Sequence, residues 1–472
     1  MSSAEANPAG AIGAEDHYYG AVVSPYAGKK LRIRDHFSIS AFWFATNFHW
    51  GAFLILLLPN QVRDMVPEHR ATVLGLLTGV AAIVALVVPL VAGALSDRCA
   101  SPMGRRKPYI MWGSIINVIG LGLMCAAYYG TKPVPIGAAS NAFAAIGQSP
   151  GLILFFFAYI VVQFGNNVAT SAYSGFIPDL VEPHQRGTAS GYMALMTQFG
   201  TLFGAIACGV LLGRMPEYVK YGVIGLVLLI VMAITVRFVQ ETPLKVKPPK
   251  IEWGPYVKSL WISPKAFPDF AWVWITRALV MLGFYAIQPY INYYLIDQIG
   301  IAAKDVDRVA PVLLAAILVS ASISGVLGGN LSDRIGRKKV VYYANAMIAV
   351  MTIAFIFCQT RNQVLVVGII FGLGFGAYTS VDWALGTEVL PSKDNAAKEM
   401  AVWHIAMTLP QTLGAPMAGF VLASFGKTIE VVPGLADPVI HYRDAGYATI
   451  FIICAVCFGL GAMLLRNVRG VK

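Results

Sequence analysis

Long apolar runs alternate with short polar stretches along almost the whole chain. Twelve of these runs approach or exceed the roughly 20 residues that a helix needs to cross a bilayer. We number them as spans 1 to 12 and predict them at residues 37–59, 71–95, 108–128, 152–175, 188–212, 221–238, 270–296, 309–329, 340–358, 363–388, 397–424 and 445–465. Strands of a membrane barrel would alternate apolar and polar residues over about ten positions. The pattern therefore predicts an all-α integral membrane fold.

A polar stretch that follows span 2 returns, altered, after span 8. The first copy reads GALSDRCASPMGRRK and the second reads GGNLSDRIGRKK, with Asp97 and Asp333 offset by 236 residues, half of the 472-residue chain. A repeat of this period indicates a duplicated half. We expect two pseudo-symmetric bundles of six transmembrane helices, at 37–238 and 270–465. A Lys- and Pro-rich linker at 239–269 would join them, with tails at 1–36 and 466–472.

The composition fits a membrane protein and orients it. Hydrophobic residues make up 57% of the chain and charged residues 12%, whereas a soluble domain has about 25% charged residues. If the termini share a side with the loops after even-numbered spans, that side holds 24 of the 35 Lys and Arg residues. The positive-inside rule then places both termini and both polar repeats in the cytoplasm. This bias and anionic lipid headgroups account for the net charge of +11 without a nucleic-acid partner.

The sequence predicts neither a disulfide nor a metal site. All six cysteines lie in spans or on the reducing cytoplasmic side. Cys454 and Cys457 have no His or acidic neighbour in their apolar run. We expect no cofactor and no enzyme activity, since no nucleophile, base and orienting residue occur together on a water-facing segment.

Two six-helix halves that each carry a G-x-x-x-D-R-x-G-R-(R/K)-K type loop resemble the major facilitator superfamily. The stretch SDRCASPMGRRKPYI is similar to the corresponding loop of the sucrose transporters and of the glycoside-pentoside-hexuronide symporters. Span 1, with Trp50 and Pro59, and the loop PDLVEPHQRGTASGY after span 4 add to this resemblance. It implies the major facilitator fold, a cavity lined by spans 1, 4, 7 and 10, and transport of a sugar or glycoside. Span 4 lacks the Arg that plant sucrose transporters carry there, so sucrose itself is not implied.

The repeated loops predict a cytoplasmic gate. Asp97 ends span 2 and a basic run follows a Gly-containing turn, so carboxylates and guanidinium groups can form charge-assisted bonds between neighbouring helix ends. Such a cluster would hold the outward-facing state shut. The alternative is that these are ordinary snorkelling and topology-setting charges. The predicted gate residues are Asp97, Arg98, Arg105, Arg106, Asp179, Glu182, Asp333, Arg334, Arg337 and Glu388.

Polar stripes inside the spans predict a substrate site near the middle of the membrane. In span 7, Tyr285, Gln288 and Asn292 recur at helical spacing on one face, with Arg277 and Met281 before them. Aromatic rings stack on sugar faces, and amides bond to hydroxyl groups. The alternative is a stripe that only packs helices together. The predicted substrate-binding residues are Asn47, His49, Trp50, Gln163, Asn166, Asn167, Tyr285, Gln288, Asn292, Trp383 and His404.

Four ionisable groups lie well inside spans: His49, Arg277, Asp382 and His404. At 1.5 Å per helical residue, the last three lie roughly 10 Å from the same face and can meet. We predict that Asp382 carries a proton, that Arg277 is its counter-charge, and that His404 relays the proton or binds substrate. A structural ion pair is the alternative. Because spans 1 to 6 contain no Asp or Glu, protons are favoured over sodium as the coupling ion. Uniport, without any coupling ion, is the remaining alternative.

These features together predict a proton-coupled symporter of a disaccharide-like sugar or glycoside that works by alternating access. We expect a monomer in the cell inner (plasma) membrane, with protons and membrane lipids as its other partners. The alternative is a proton-coupled exporter of a drug-like, amphiphilic or lipid molecule.

Overall fold

Helices account for nearly all of the regular structure. The structure is a computed structural model that describes residues 24–182, 185–244, 251–259, 261–390, 396–430 and 439–469. In the first half, the spans comprise Ile33–Ala52 with the π-helical turn Phe53–Leu57 and Leu58–Met65 (span 1), Arg70–Asp97, Lys107–Gly130, Pro150–Ser174, Arg186–Ile206 with the π-helical turn Ala207–Leu211 (span 5), and Glu217–Phe238.

The second half repeats this arrangement. Its spans comprise Pro268–Ile287 with the 3-10 turn Gln288–Tyr290 and Ile291–Asp297 (span 7), Ala303–Ile335, Arg337–Phe355, Arg361–Glu388, Ala396–Ser424, and Asp444–Leu464 with the 3-10 turn Leu465–Asn467 (span 12). Each helix overlaps the apolar run that predicted it. The boundaries predicted for the two bundles, the linker and the tails stay predictions, and parts of the linker and both tails lie outside the described residues.

Eleven helices in the described part of the chain are long and apolar enough to cross a membrane. Span 9, Arg337–Phe355, is not among them, because Arg337, Lys338 and Lys339 in its first turn lower its mean hydropathy. Three short helices connect the spans: Ala142–Gln148, Phe176–Leu180 and Trp253–Ser259. The last of these lies in the linker.

Local signals in the sequence set the helix ends. Ser149 accepts the N–H of Leu152 and Pro150 begins span 4, where a missing N–H is harmless. Thr360 and Gln363 form a capping box at the start of span 10. Gly336 separates spans 8 and 9 with a φ of 96°, a conformation that strongly favours glycine. The polar repeats thus lie where helices must stop.

A two-stranded antiparallel sheet, which the sequence did not predict, joins spans 11 and 12. Strand β1 is Lys427–Glu430 and strand β2 is Val439–Tyr442, with Lys427 opposite Tyr442. Below, the motif end is the end of the bundle where Asp97 and Arg337 lie. The far end is the end where Arg70, Asp297 and this hairpin lie.

Candidate functional site

A pocket lined by both polar and apolar side chains lies where the two halves meet. The first half contributes Leu54, Thr78, Ala82, Tyr159 and Gln163, and the second half contributes Tyr285, Gln288, Pro289, Gln411 and Ala415. Three of the predicted substrate-binding residues therefore line one pocket: Gln163, Tyr285 and Gln288. Thr78, Tyr159 and Gln411 were not predicted. Thr78 and Gln411 lie in spans 2 and 11, outside the polar stripes of spans 4 and 7, and Tyr159, one turn before Gln163, was not counted in the stripe of span 4.

Hydrogen bonds fix the polar wall that span 4 provides. Gln163 Nε2 donates to the Tyr159 hydroxyl at 3.2 Å. Asn167 Nδ2 donates to Gln163 Oε1 at 3.1 Å and to the Gln163 carbonyl at 2.8 Å. The predicted residue Asn167 thus positions Gln163, while Asn166, also predicted, is buried on the same helix. The amide and the phenol face the pocket as one preorganised group.

Among the predicted substrate-binding residues whose side chains are described, Asn47, His49, Trp50, Asn166, Asn167 and Asn292 are not part of the pocket lining. Asn47 Nδ2 donates to the Trp43 carbonyl at 2.8 Å. His49 is completely buried, with its ring stacked on Trp50 at a centroid distance of 4.5 Å. Neither ring nitrogen of His49 has a hydrogen-bond partner among the described residues.

The side chains of two predicted residues, Trp383 and His404, lie outside the described residues, although their helices are described. The binding roles of all the predicted substrate-binding residues stay predictions, including those of Gln163, Tyr285 and Gln288, which line the pocket.

Arg277 and Asp382 form an ion pair inside the second half. Each side chain is only 3% exposed. The Tyr378 hydroxyl donates to Asp382 Oδ1 at 3.2 Å, and the Arg277 guanidinium lies 5.0 Å from the centre of the Trp403 ring. Arg277 lies eight residues before Tyr285 on span 7, which corresponds to about 12 Å along the helix. A charged pair that could change protonation therefore lies about two turns from the pocket.

A second buried ion pair, which the sequence analysis missed, joins the two halves at the far end. Arg70 Nη2 donates to both carboxylate oxygens of Asp297 at 2.7 Å, and the side chains are 5% and 0% exposed. The Tyr447 hydroxyl donates to Asp297 at 2.7 Å, and His441 Nδ1 lies 3.2 Å from it. The sequence does show a charge at one end of each of the two spans: Arg70 at the start of span 2, and Asp297 at the end of the tyrosine-rich run QPYINYYLID in span 7. Charges at span ends usually mark only the membrane boundary, so these two were not singled out.

Side chains from the broken part of span 7 close the seam beside this pair. The Tyr290 hydroxyl donates to the Ala415 carbonyl at 2.7 Å and contacts the Ala71 carbonyl at 3.1 Å. It fits there because Gly75 and Gly419 have no Cβ, which would lie 2.8 Å and 2.6 Å from the phenol oxygen. Spans 2, 7 and 11 therefore meet around one hydroxyl.

Asn292, which was predicted to bind substrate, also lies in this seam. It is completely buried, and its Nδ2 donates to the Ile55 carbonyl at 2.5 Å. Pro59 has no N–H to return to that carbonyl in an α-helical bond, so the amide from the other half replaces it. The Tyr293 hydroxyl donates to the Pro59 carbonyl at 2.8 Å.

The hairpin adds a further contact between the halves. Lys427 Nζ lies 2.6 Å from Glu68 Oε1 and 3.2 Å from the Glu68 carbonyl. Burial raises the pKa of Glu68, but bonds from Lys427 and from the Gly137 N–H lower it overall. Asn60 and Asp307 join the halves nearby, with a distance of 2.5 Å between Asn60 Nδ2 and Asp307 Oδ1. The far end is thus crossed by charged, polar and backbone contacts.

At the motif end, four predicted gate residues form one cluster within the first half. Arg106 lies 2.5 Å from Asp97 and 3.0 Å from Asp179, and Arg105 lies 2.6 Å from Asp179. Burial lowers the pKa of Arg106, but Asp97 and Asp179 raise it overall. These bonds tie the ends of spans 2 and 4 to the start of span 3.

Glu241, in the linker, was not predicted to take part in this cluster. Its carboxylate accepts the backbone N–H groups of Arg105 at 3.0 Å, Arg106 at 2.8 Å and Lys107 at 3.3 Å. Burial raises its pKa overall despite these bonds. Gly104, with a φ of 110°, leaves room for this carboxylate, because a Cβ there would lie 2.3 Å from an oxygen of Glu241.

The second polar repeat has a simpler arrangement. Arg337 Nη1 lies 2.8 Å from Glu388 Oε1, which brings two of the predicted gate residues together. Arg334 is exposed, and the side chain of Asp333 lies outside the described residues. Two further predicted gate residues lie in the first half. Glu182 accepts the N–H of Gly28 at 2.6 Å. Arg98 Nε is buried without a described hydrogen-bond partner. Gating by these groups stays a prediction.

Comparison with known proteins identifies the architecture. The Major Facilitator Superfamily model matches residues 36–397 and 307–471. The chain is 28% identical to sucrose transport protein SUC4 of Arabidopsis thaliana over 191 residues, 39% of this chain and 34% of that protein. It is 20% identical over 293 residues to a multi-drug resistance efflux pump PmrA homolog of Lactococcus lactis, covering 57% of this chain and 69% of that protein. The match spans about a third of the length of the sucrose transport proteins.

Solved structures share the fold. A mutant of nucleoside transporter NupG superimposes with a TM-score of 0.68 at 13% identity, over 92% of this chain and 99% of that one. A bacterial homolog of the human lysosomal transporter Spinster, in an inward-facing and occupied conformation, gives 0.64 at 15% identity, over 92% and 96%. The predicted all-α, multi-pass membrane fold is confirmed.

Proposed function

The chain belongs to the major facilitator superfamily, and we propose that it moves a sugar or glycoside through the membrane by proton-coupled symport and alternating access. The observation that carries this proposal is the pocket at the seam, where two tyrosines and three glutamines from both halves converge. Phenol rings stack on sugar faces and amides exchange hydrogen bonds with hydroxyl groups. The name of the relative SUC4, a sucrose transport protein, is in line with such a ligand.

Alternating access requires a seam that can open on one side at a time. The far end is crossed by Arg70 with Asp297, by Tyr290 and by Asn292, whereas the described ion pairs of the motif end stay within one half. This difference supports a state in which the pocket opens towards the motif end. We place that end and both termini in the cytoplasm, on the charge count of the loops. The cluster around Asp97 would close it in the opposite state.

Proton coupling is assigned to Asp382, with Arg277 as counter-charge and His404 as relay or substrate ligand. A carboxylate held by one guanidinium and one phenol can gain a proton only when that pair loosens, so protonation and conformation are linked. The competing reading is a purely structural ion pair that fixes spans 7 and 10. The transporter would act as a monomer in the cell inner (plasma) membrane, surrounded by anionic lipid.

Transport into proteoliposomes tests the proposal. With a pH gradient that is acidic outside, the wild type should accumulate a radiolabelled disaccharide against its gradient. Asp382→Asn should abolish this accumulation while counterflow exchange persists, because only the proton step is removed. Asp305→Asn, which removes an exposed carboxylate at the start of span 8, is the matched control and should transport normally. Uphill transport that survives in Asp382→Asn would assign the pair a structural role.

Export of a drug-like, amphiphilic or lipid molecule is the second candidate. It is supported by the efflux pumps among the relatives and by the apolar pocket residues Leu54, Ala82 and Ala415. Everted vesicles that accumulate a lipophilic dye when their interior is acidified, but take up no disaccharide, would favour export.

A further inference from the structure

We propose that the pocket selects uncharged, hydroxyl-rich ligands and rejects their anionic counterparts, and that Gln411 of span 11 determines this specificity. This inference rests on the proposed function, since it concerns the same pocket. It narrows the ligand from sugars in general to neutral ones. It also adds Gln411, a residue of span 11 that the sequence analysis did not predict.

The amides of the pocket differ in how far they are already engaged. Gln163 bonds to Tyr159 and to Asn167, so it is held in place by protein groups. Gln288 and Gln411 are partly exposed in the pocket wall and make no hydrogen bond to any residue that the structure describes. These two side chains are therefore available to a ligand.

A free primary amide distinguishes a hydroxyl group from a carboxylate. It presents a carbonyl acceptor beside two N–H donors, and a hydroxyl both donates and accepts. Adjacent hydroxyl groups on a sugar ring can therefore satisfy both sides of one amide. A carboxylate only accepts, so it can bond to the N–H donors of the amide but leaves the amide oxygen without a partner.

The described surroundings of the pocket offer no unpaired charge that could compensate a charged ligand. The described residues that line the pocket include no Lys, Arg, His, Asp or Glu. The nearby charges are already paired, Arg277 with Asp382 and Arg70 with Asp297. An anion entering this site would lose hydration without gaining a counter-ion, which strongly disfavours binding.

Gln411 also lies where ligand binding and the far-end seam meet. It is four residues before Ala415 on span 11, so both face the pocket, and the Ala415 carbonyl accepts the Tyr290 hydroxyl. Its neighbour Thr412 bonds to the Thr408 carbonyl of its own helix and is not among the described pocket residues. Thr412→Val is therefore a matched control for disturbance of span 11.

The test uses full-length protein in nanodiscs free of glycoside detergent. The probes are methyl β-glucoside, maltose and sucrose, each beside the counterpart in which one CH2OH group is a carboxylate. Ligand-dependent thermal shifts give the dissociation constants. For any neutral probe that binds, we expect the carboxylate counterpart to bind at least about tenfold more weakly.

Gln411→Leu should weaken neutral binding by about ten- to a hundredfold, Gln411→Asn by less, and Thr412→Val by no more than about twofold. Unliganded melting temperatures of the variants establish that they fold.

Each result discriminates. If no neutral glycoside binds the wild type, the proposed function fails and this inference fails with it. If neutral and anionic probes bind equally, the selection against charge is wrong although the proposed function stands. If the wild type is selective and a folded Gln411→Leu binds as tightly as the wild type, the role of Gln411 is wrong.

Discussion

At the far end the ion pair of Arg70 and Asp297 joins the two halves, whereas at the motif end Arg106 bonds to Asp97 and Asp179 of its own half. Ion pairs between arginine and aspartate therefore have two different roles, one across the seam and one within a half. A bond within one half moves with that half when the bundles rock, but a bond across the seam must break. Seam contacts define which side is closed, and the contacts within a half keep the helix ends in register.

Burial differs between the ends as well. The side chains of Arg70 and Asp297 are 5% and 0% exposed, but those of Arg337 and Glu388 are 28% and 41% exposed. Removing one partner of a buried pair leaves a charge without compensation, at about 3–5 kcal/mol, while an exposed pair contributes about 0–1 kcal/mol. The pair of Arg70 and Asp297 should therefore respond to neutralising substitutions much more strongly than the pair of Arg337 and Glu388.

The largest expected effect is that of Asp297→Asn. It leaves the Arg70 guanidinium buried beside an amide and should destabilise the closed far end by about 3–5 kcal/mol. Spin labels at the exposed far-end positions 132 and 304, one in each half, measure the separation of the halves by electron paramagnetic resonance. The population with a wide separation should grow at least tenfold.

The matched control is Asp305→Asn at the same end, where the carboxylate is exposed and lies outside the seam contacts described above. It should leave the distance distribution unchanged. An unchanged distribution in Asp297→Asn would mean that the buried pair does not hold the seam, and the contrast between the two ends would be lost.

A smaller effect is expected from Tyr290→Phe. The ring still fills the space beside Gly75 and Gly419, but the carbonyls of Ala71 and Ala415 lose their shared hydroxyl. Loss of this contact should destabilise the closed far end by about 1–2 kcal/mol. The same pair of spin labels would detect a several-fold rise in the open population. A rise as large as that of Asp297→Asn would place the main closing contact at Tyr290 instead.

The sequence was most informative where a charge interrupts an apolar run. The pairing of Arg277 with Asp382 was predicted because a charge inside the membrane needs a partner. The acids and bases of the repeated loops were predicted as one group, and the structure pairs Arg106 with Asp179 and Arg337 with Glu388. Their functional roles are a separate question that pairing alone does not answer.

Other features left little signal in the sequence. Asp297 ends span 7, where a charge is unremarkable, and its partner Arg70 is 227 residues away. Gln411 lies beside Pro410 and belongs to neither of the polar stripes that the sequence analysis identified. The hairpin pairs two strands of only four residues each, and Glu241 acts through backbone N–H groups that no residue pattern reveals.

Glu388→Gln tests the exposed ion pair at the motif end, for which a small effect is expected. Its partner Arg337 and the carboxylate are both solvated, so the stability of the protein should fall by less than about 1 kcal/mol. Thermal unfolding in nanodiscs at low and at high salt measures this, and the small difference should shrink as salt screens the pair. A loss of several kcal/mol that salt does not change would show that the motif end depends on its ion pairs as strongly as the far end does.

The smallest effect concerns the pH dependence of the contact between Glu68 and Lys427, which joins the halves at the far end. Burial raises the pKa of Glu68 but Lys427 and Gly137 lower it overall, so the folded protein binds this proton less readily than the unfolded chain. The stabilisation is present at neutral pH and is lost as the pH falls below the ordinary glutamate pKa of about 4.3 and through the lowered one. Melting curves of the wild type and Glu68→Gln, measured from pH 7 to pH 3, should therefore differ at neutral pH and converge in acid. Parallel curves over the whole range would mean that the hairpin adds no charge-dependent contact to the seam.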